Sequence, residues 1–240
     1  MPSPGRRAGP YGRGVTTAAD LRARVGAAFA RLDLPSWPDP HPDRSPRDEE
    51  YSRLTDPARY RVVHARARVW ADVLREAGAR AEALPAGEGA ADRPFDRGVR
   101  LTVPRPGTLA LLLLERDVRD PFRPDAEALP VLDVAVARPD VVVETQPDCG
   151  CDACDTGSAD ILGTLDEAVA RVVGGPFVAL RGDGWGAQWY PDGGSAWSSG
   201  EGSAHDQHGA RMELCRRLVA GEDASLPPGA EAFVGAPWFG

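Results

Sequence analysis

The sequence predicts an α+β fold, an antiparallel β-sheet in two meanders flanked by about four α-helices. Three observations lead there. Apolar residues recur at helical spacing in four segments, beginning near Thr17, Asp56, Ser158 and Ala204. Short apolar runs read as strands in two groups, one between Val99 and Thr145 and one between Phe177 and Trp197. The turns Pro104-Arg-Pro-Gly107 and Arg138-Pro-Asp140 are too short for parallel crossovers, so the strands they join are antiparallel.

In chain order, residues 1–15 are basic, rich in Gly and Pro and without periodicity, which predicts a disordered tail. A single α+β domain is expected over 16–225. Its first helix opens on Thr17 with Asp20 three residues later, and Leu21, Val25, Ala28, Phe29 and Leu32 share a face. Five prolines between Leu34 and Pro46 predict an extended connector, pinned by Trp37. Asp56 and Pro57 predict the next N-terminus, and the stripe Tyr60, Val63, Ala67, Trp70, Leu74, Ala77 predicts a buried helix face. Gly78 ends that helix, or a last turn carries it to Leu84. Strands are predicted at Val99–Val103, Leu109–Leu114, Val131–Val136 and Val141–Thr145, followed by a helix over Ser158–Val173. Phe177–Leu180, Trp185–Tyr190 and Ser195–Trp197 are further strands, with Asp183-Gly184 and Asp192-Gly193 as turns. A last helix spans Ala204–Ala220, and 226–240 reads as a Pro/Gly-rich C-terminal tail docked through its aromatics.

Composition removes several chemistries. All 28 basic residues are arginine, and asparagine is absent. A phosphate loop with its lysine, Schiff-base catalysis and a Cys–His–Asn triad are therefore excluded. The net charge of −8, with arginines scattered, argues against nucleic acid as a partner. The longest apolar run, Leu109 to Leu114, cannot span a bilayer. The expectation is a soluble, cytoplasmic protein.

One segment stands out: Cys149-Gly-Cys151-Asp-Ala-Cys154-Asp155, between a strand end and a helix start. A Cys-x-x-Cys pair in a tight turn suits tetrahedral zinc, and Gly150 would let the chain turn between the first ligands. The candidate ligands are Cys149, Cys151 and Cys154, with the adjacent Asp155 as fourth; His205, His208 and water are alternatives. Cys215 shares a helix face with Met212 and Val219 and is expected in the core. Plain reduced thiols and redox thiols are the competing readings of the cluster.

The cysteine signature, the helix after it ending near Val173-Gly174-Gly175, and the upstream Glu50-Tyr-Ser-Arg-Leu-Thr-Asp-Pro57 with Arg59-Tyr60 together resemble an actinobacterial domain-of-unknown-function family over roughly 48–200. The resemblance implies an actinobacterial, cytoplasmic origin and no activity.

The other constellations read as structure. His41 is expected to be solvated and His64 to be a satisfied structural histidine. The Glu49-Glu50 pair reads as acidic surface, and Gly193-Gly-Ser195-Ala-Trp197 lacks the second glycine of a nucleophile elbow. Trp185 and Trp189 share a strand face and, with Trp197, form either core or a binding face. The functional expectation is a non-catalytic domain that binds a protein or small ligand, stabilised by a zinc loop locking the third helix to the sheet. The alternative is a hydrolase or redox enzyme using Cys149, Cys151 and Cys154.

Overall fold

The computed structural model describes residues 16–89, 93–119, 125–198 and 204–239. The expected N-terminal tail lies outside them. Helix α1 (Ala18–Phe29) begins with the reciprocal cap its sequence announces. Thr17 Oγ1 accepts from the Asp20 amide at 3.1 Å, and Asp20 Oδ2 accepts from the Thr17 amide at 3.0 Å. The second helix opens differently from the prediction. Pro57–Tyr60 winds as a 3-10 turn without a side-chain cap from Asp56, and α2 proper is Arg61–Glu76. Gly78 then takes φ +109, a left-handed conformation that reverses the chain. The expected last helical turn to Leu84 is instead strand β1 (Arg80–Leu84).

After β1 come a small hairpin, β2 (Gly87–Glu88) with β3 (Pro94–Phe95), and then β4 (Arg97–Thr102), β5 (Leu111–Val118), β6 (Leu129–Val136) and β7 (Val142–Gln146). Strands β1-β4-β5-β6-β7 lie in that order in one antiparallel sheet. Its central strand explains the unbroken leucine run. Leu111 and Leu113 face the helices with Leu132, Val134 and Trp70, whereas Leu112 and Leu114 face Phe95 and Ala135 on the other side. Both faces are covered, so alternation is lost.

Helix α3 (Ser158–Gly174) packs beside α2 on the helical face. A buried carboxylate bolts the two together: Asp166 accepts from Trp70 Nε1 at 2.7 Å and Arg66 Nε at 2.8 Å. The second sheet holds β8 (Phe177–Gly182), β9 (Trp185–Tyr190), β10 (Gly193–Ser198) and β11 (Glu231–Gly235) in the order β10-β9-β8-β11. Asp183-Gly184 closes the first hairpin as predicted, while the second turn is Pro191-Asp192, one residue earlier than the sequence suggested. Helix α4 (Ala204–Val219) covers one face, with Met212 and Cys215 against Val178, Leu180 and Ala187. On the opposite face Phe177 and Ala179 join the main core.

The C-terminal segment docks through its aromatics as expected, and it also adds a strand. Glu231–Gly235 pairs with the open edge of β8, and Trp238 is buried, donating from Nε1 to Leu109 O at 3.1 Å. The Pro/Gly content hid a strand that only an available edge could recruit. The three tryptophans also separate. Trp185 and Trp189 pack toward α4, but Trp197, in register with Gly186, lies on the other face, so they form no common binding surface. Among the described residues no helix is long and apolar enough to cross a membrane.

Candidate metal centre

The cysteine loop leaves β7 at Gln146 and enters α3 at Ser158. Asp152–Cys154 forms a single 3-10 turn, which folds the second and third cysteines back over the first. The three sulfurs lie within 4.8 Å of one another, with Cys149 Sγ 3.3 Å from Cys151 Sγ. A tetrahedral zinc with sulfurs at about 2.3 Å requires sulfur–sulfur separations of about 3.8 Å. The observed spacing brackets that value, so small side-chain rotations complete a three-thiolate face. Cys149 and Cys154 are exposed, and the face opens to solvent.

Gly150 serves a purpose other than the predicted sharp turn. A Cβ at this position would come within 2.4 Å of Leu129 Cδ2, so the glycine lets the loop lie close against β6.

The expected fourth ligand, Asp155, is engaged elsewhere. It is 2 % exposed, and its Oδ1 accepts from Trp37 Nε1 and the Gly157 amide, each at 2.9 Å. Its Oδ2 takes Arg59 Nη2 at 2.5 Å. Burial of a carboxylate demands such partners, and all of them come from the protein. Asp152 is held the same way, accepting from Arg53 Nε at 2.5 Å, Thr55 Oγ1 at 2.5 Å and the Thr55 amide at 2.9 Å. The sulfurs that gather are Cys149, Cys151 and Cys154 alone, and the two aspartates anchor the loop from below.

That anchor extends into the segment before α2. Glu50, read from the sequence as acidic surface, is 4 % exposed. Arg44 binds it with two nitrogens at 3.0 Å and the Arg47 amide donates at 2.7 Å, which together hold its carboxyl well below the usual range. Its other neighbours are Arg53, 3.6 Å away and shared with Asp152, and His41 Nε2, 3.4 Å away. The His41 side chain is 7 % exposed, not solvated as expected. Trp37 packs edge-on against Tyr60 at 5.4 Å, and the Arg59 guanidinium lies 4.9 Å over the Trp37 ring. Among the described residues, the buried side-chain atoms lacking a hydrogen-bond partner all belong to His41, Arg59 and Tyr60.

The thiols influence one another. Burial pushes the Cys151 thiol up, but hydrogen bonds from the Cys149 and Cys154 sulfurs and from backbone amides outweigh it and hold the group below its ordinary value. The Cys154 thiol is pushed up to about 12, first by its hydrogen bond to Cys151 and then by burial. Three thiolates at this spacing repel, and a bound cation removes that repulsion.

The remaining candidates are placed plainly. His64 is buried, with Nε2 2.8 Å from Val131 O, as a structural histidine should be. Cys215 is fully buried against Met212, and burial pushes its thiol up to about 11, so it is chemically quiet. The side chain of His205 lies outside the described residues.

A family model described as a family of unknown function, DUF6226, matches residues 25–240. The chain belongs to DUF6226. No curated protein and no solved structure matches it. The family match carries no activity, so the chemistry of this DUF6226 chain rests on its own residues. Sequence reasoning found the thiols but missed their support. Trp37, Arg53, Thr55 and Arg59 meet the loop aspartates across 96 to 118 residues of chain, a separation that no local pattern signals. The aspartates interleaved with the cysteines were the available clue, and they read as ligands or loose charge.

Proposed function

We propose that this DUF6226 chain is a zinc-binding protein of a binding, non-catalytic kind. Cys149, Cys151 and Cys154 supply three ligands, and a protein or small-molecule partner supplies the fourth. The observation that carries the reading is the convergence of three sulfurs, two of them exposed, on a loop anchored independently by Asp152 and Asp155. A metal is not needed to lock this loop to the sheet. Held by these three residues, a metal would lie at the surface, within reach of an incoming ligand. Asp152 and Asp155 are both spent on protein donors, so neither is placed to act as a general base. The lysine-free, arginine-rich composition supports an actinobacterial, GC-rich source.

Elemental analysis of untagged protein tests the reading. One zinc per chain is expected, lost in Cys149→Ser and in Cys154→Ser; less than about a tenth of a zinc per chain refutes it. Cobalt substitution tests the open vertex. The visible ligand-field bands should shift on adding imidazole, and bands indifferent to added ligand indicate a closed site.

The 3.3 Å contact between Cys149 and Cys151 supports a second reading, a redox dithiol. Exchange with glutathione disulfide would then yield the intramolecular disulfide and two molecules of glutathione. Mass spectrometry of metal-free protein detects the loss of two hydrogens at this peptide.

A further inference from the structure

A cleft of about 740 Å³ lies on the face of the second sheet opposite α4, where β7 approaches β8 and β9. Its size falls within the range typical of small-molecule sites, and it lies at the junction of two sheets. Its organisation comes from strand register. Arg181 pairs with Gly186, and Gly186 pairs with Trp197, so these three residues form one row across three adjacent strands and share a face. At a strand spacing of about 4.8 Å, the two ends of the row are about 10 Å apart.

Glycine in the middle of the row leaves room for the indole. A Cβ on Gly186 would lie 2.7 Å from Trp197 Nε1 and 2.8 Å from its Cε2, so the indole rests directly on the glycine backbone. One indole face is thereby fixed, and the side chain remains 56 % exposed. Trp185 and Trp189 point the other way, into the α4 core, so Trp197 is not an overflow of that core. At the other end, the Arg181 side chain is 39 % exposed and commits Nη1 to Asp140. Among the described residues it makes no other hydrogen bond. Asp140 is shared with Arg138, whose nitrogens lie 3.2 and 3.3 Å away and which also binds Glu231 at 2.8 and 3.0 Å, so Arg138 is fully engaged and, of the two, Arg181 alone keeps nitrogens for a ligand. The floor is closed by Gln188, whose Nε2 donates to Val143 O at 2.5 Å and ties the sheets together beneath the row.

We propose that this cleft binds a small molecule with a flat aromatic ring stacked on Trp197 and an anionic group, carboxylate or phosphate, held by Arg181. An indole platform seated over Gly186 and a guanidinium on the neighbouring strand suit the two ends of an aryl acid. Binding here uses no cysteine and needs no metal.

Ligand-observed NMR titration of the full chain tests the proposal with three probes: naphthoate, adenosine monophosphate and neutral naphthamide. At least one anionic probe should bind saturably at one site per chain, and naphthamide should bind about tenfold more weakly. Naphthoate binding alone points to carboxylate ligands, and adenosine monophosphate alone points to phosphate. Trp197→Ala should weaken binding about tenfold, and Trp185→Phe should leave it unchanged. Arg181→Gln, whose Asp140 neighbour keeps Arg138, provides an independent variant if Trp197→Ala does not fold. Absence of saturable binding by both anionic probes overturns the proposal. So does binding that is indifferent to the loss of Trp197 or of Arg181.

Discussion

The anchor beneath the cysteine loop makes a quantitative prediction for Asp155→Ala. The Asp155 side chain is fully buried and holds three donors, from Trp37, Arg59 and Gly157. Truncation leaves the Arg59 guanidinium, only 20 % exposed, without its counter-charge, and strands the indole and Gly157 N–H groups. Breaking a buried ion pair by removing one partner costs about 3–5 kcal/mol. At about 2–4 °C per kcal/mol for a chain of this size, the melting temperature should fall by roughly 6–20 °C. Asp155→Asn separates the contributions. An amide oxygen in the Oδ1 position keeps the Trp37 and Gly157 bonds, but the amide NH2 then faces Arg59 donor to donor, so the charge and the Arg59 hydrogen bond are both lost, a cost of about 1.5–3 kcal/mol. Thermal unfolding followed by circular dichroism, in chelator so that metal contributes nothing, measures both variants. If Asp155→Ala melts within about 2 °C of the parent, the loop is not held by this carboxylate, and the structural-metal view regains its force.

Two further predictions concern the same region. Gly157→Ala should cost about 2 kcal/mol or more, because φ is +85 and the new Cβ would meet the Asp39 amide at 2.6 Å and the Pro38 carbonyl carbon at 2.8 Å. Gly26→Ala, in α1 with nothing within 4 Å, should be stabilising by about 0.5–1 kcal/mol; urea titration measures both variants, and equal effects at the two sites would refute the steric argument. For Glu50, the depressed folded-state pKa means that its stabilisation is present above the unfolded carboxylate range and is lost as pH falls toward the folded value. Glu50→Gln should therefore melt lower than the parent near neutral pH, with the gap closing below about pH 4; a gap constant with pH would exclude the ionic contribution.

Local signals in the sequence were read correctly where the deciding physics is local. The Thr17–Asp20 cap, the apolar face of α2, the Asp183-Gly184 turn and the antiparallel hairpins depend on neighbours within a few residues. The errors fall where a distant partner intervened. Arg80–Leu84 became a strand because β4 offered an edge, and Glu231–Gly235 became one because β8 did. Glu50 and His41 look solvated in a proline-rich connector and are buried because the connector folds against the loop. Asp155 looked like a ligand because it stands beside Cys154; its side chain instead turns inward, toward Trp37 and Arg59.

By itself, the sequence determined the class of fold, the exclusion of lysine- and asparagine-dependent chemistry, and the identity of the three thiols. Those follow from residue type and short-range periodicity, which survive in any fold the chain could adopt. Only the tertiary structure decided what the aspartates in the motif do and which face each tryptophan takes. Buried charges must find partners wherever the fold supplies them, and strand register alone sets Trp197 over Gly186. The cysteine loop thus emerged as an exposed, independently anchored three-sulfur face, where the sequence had suggested a knuckle that the metal holds together.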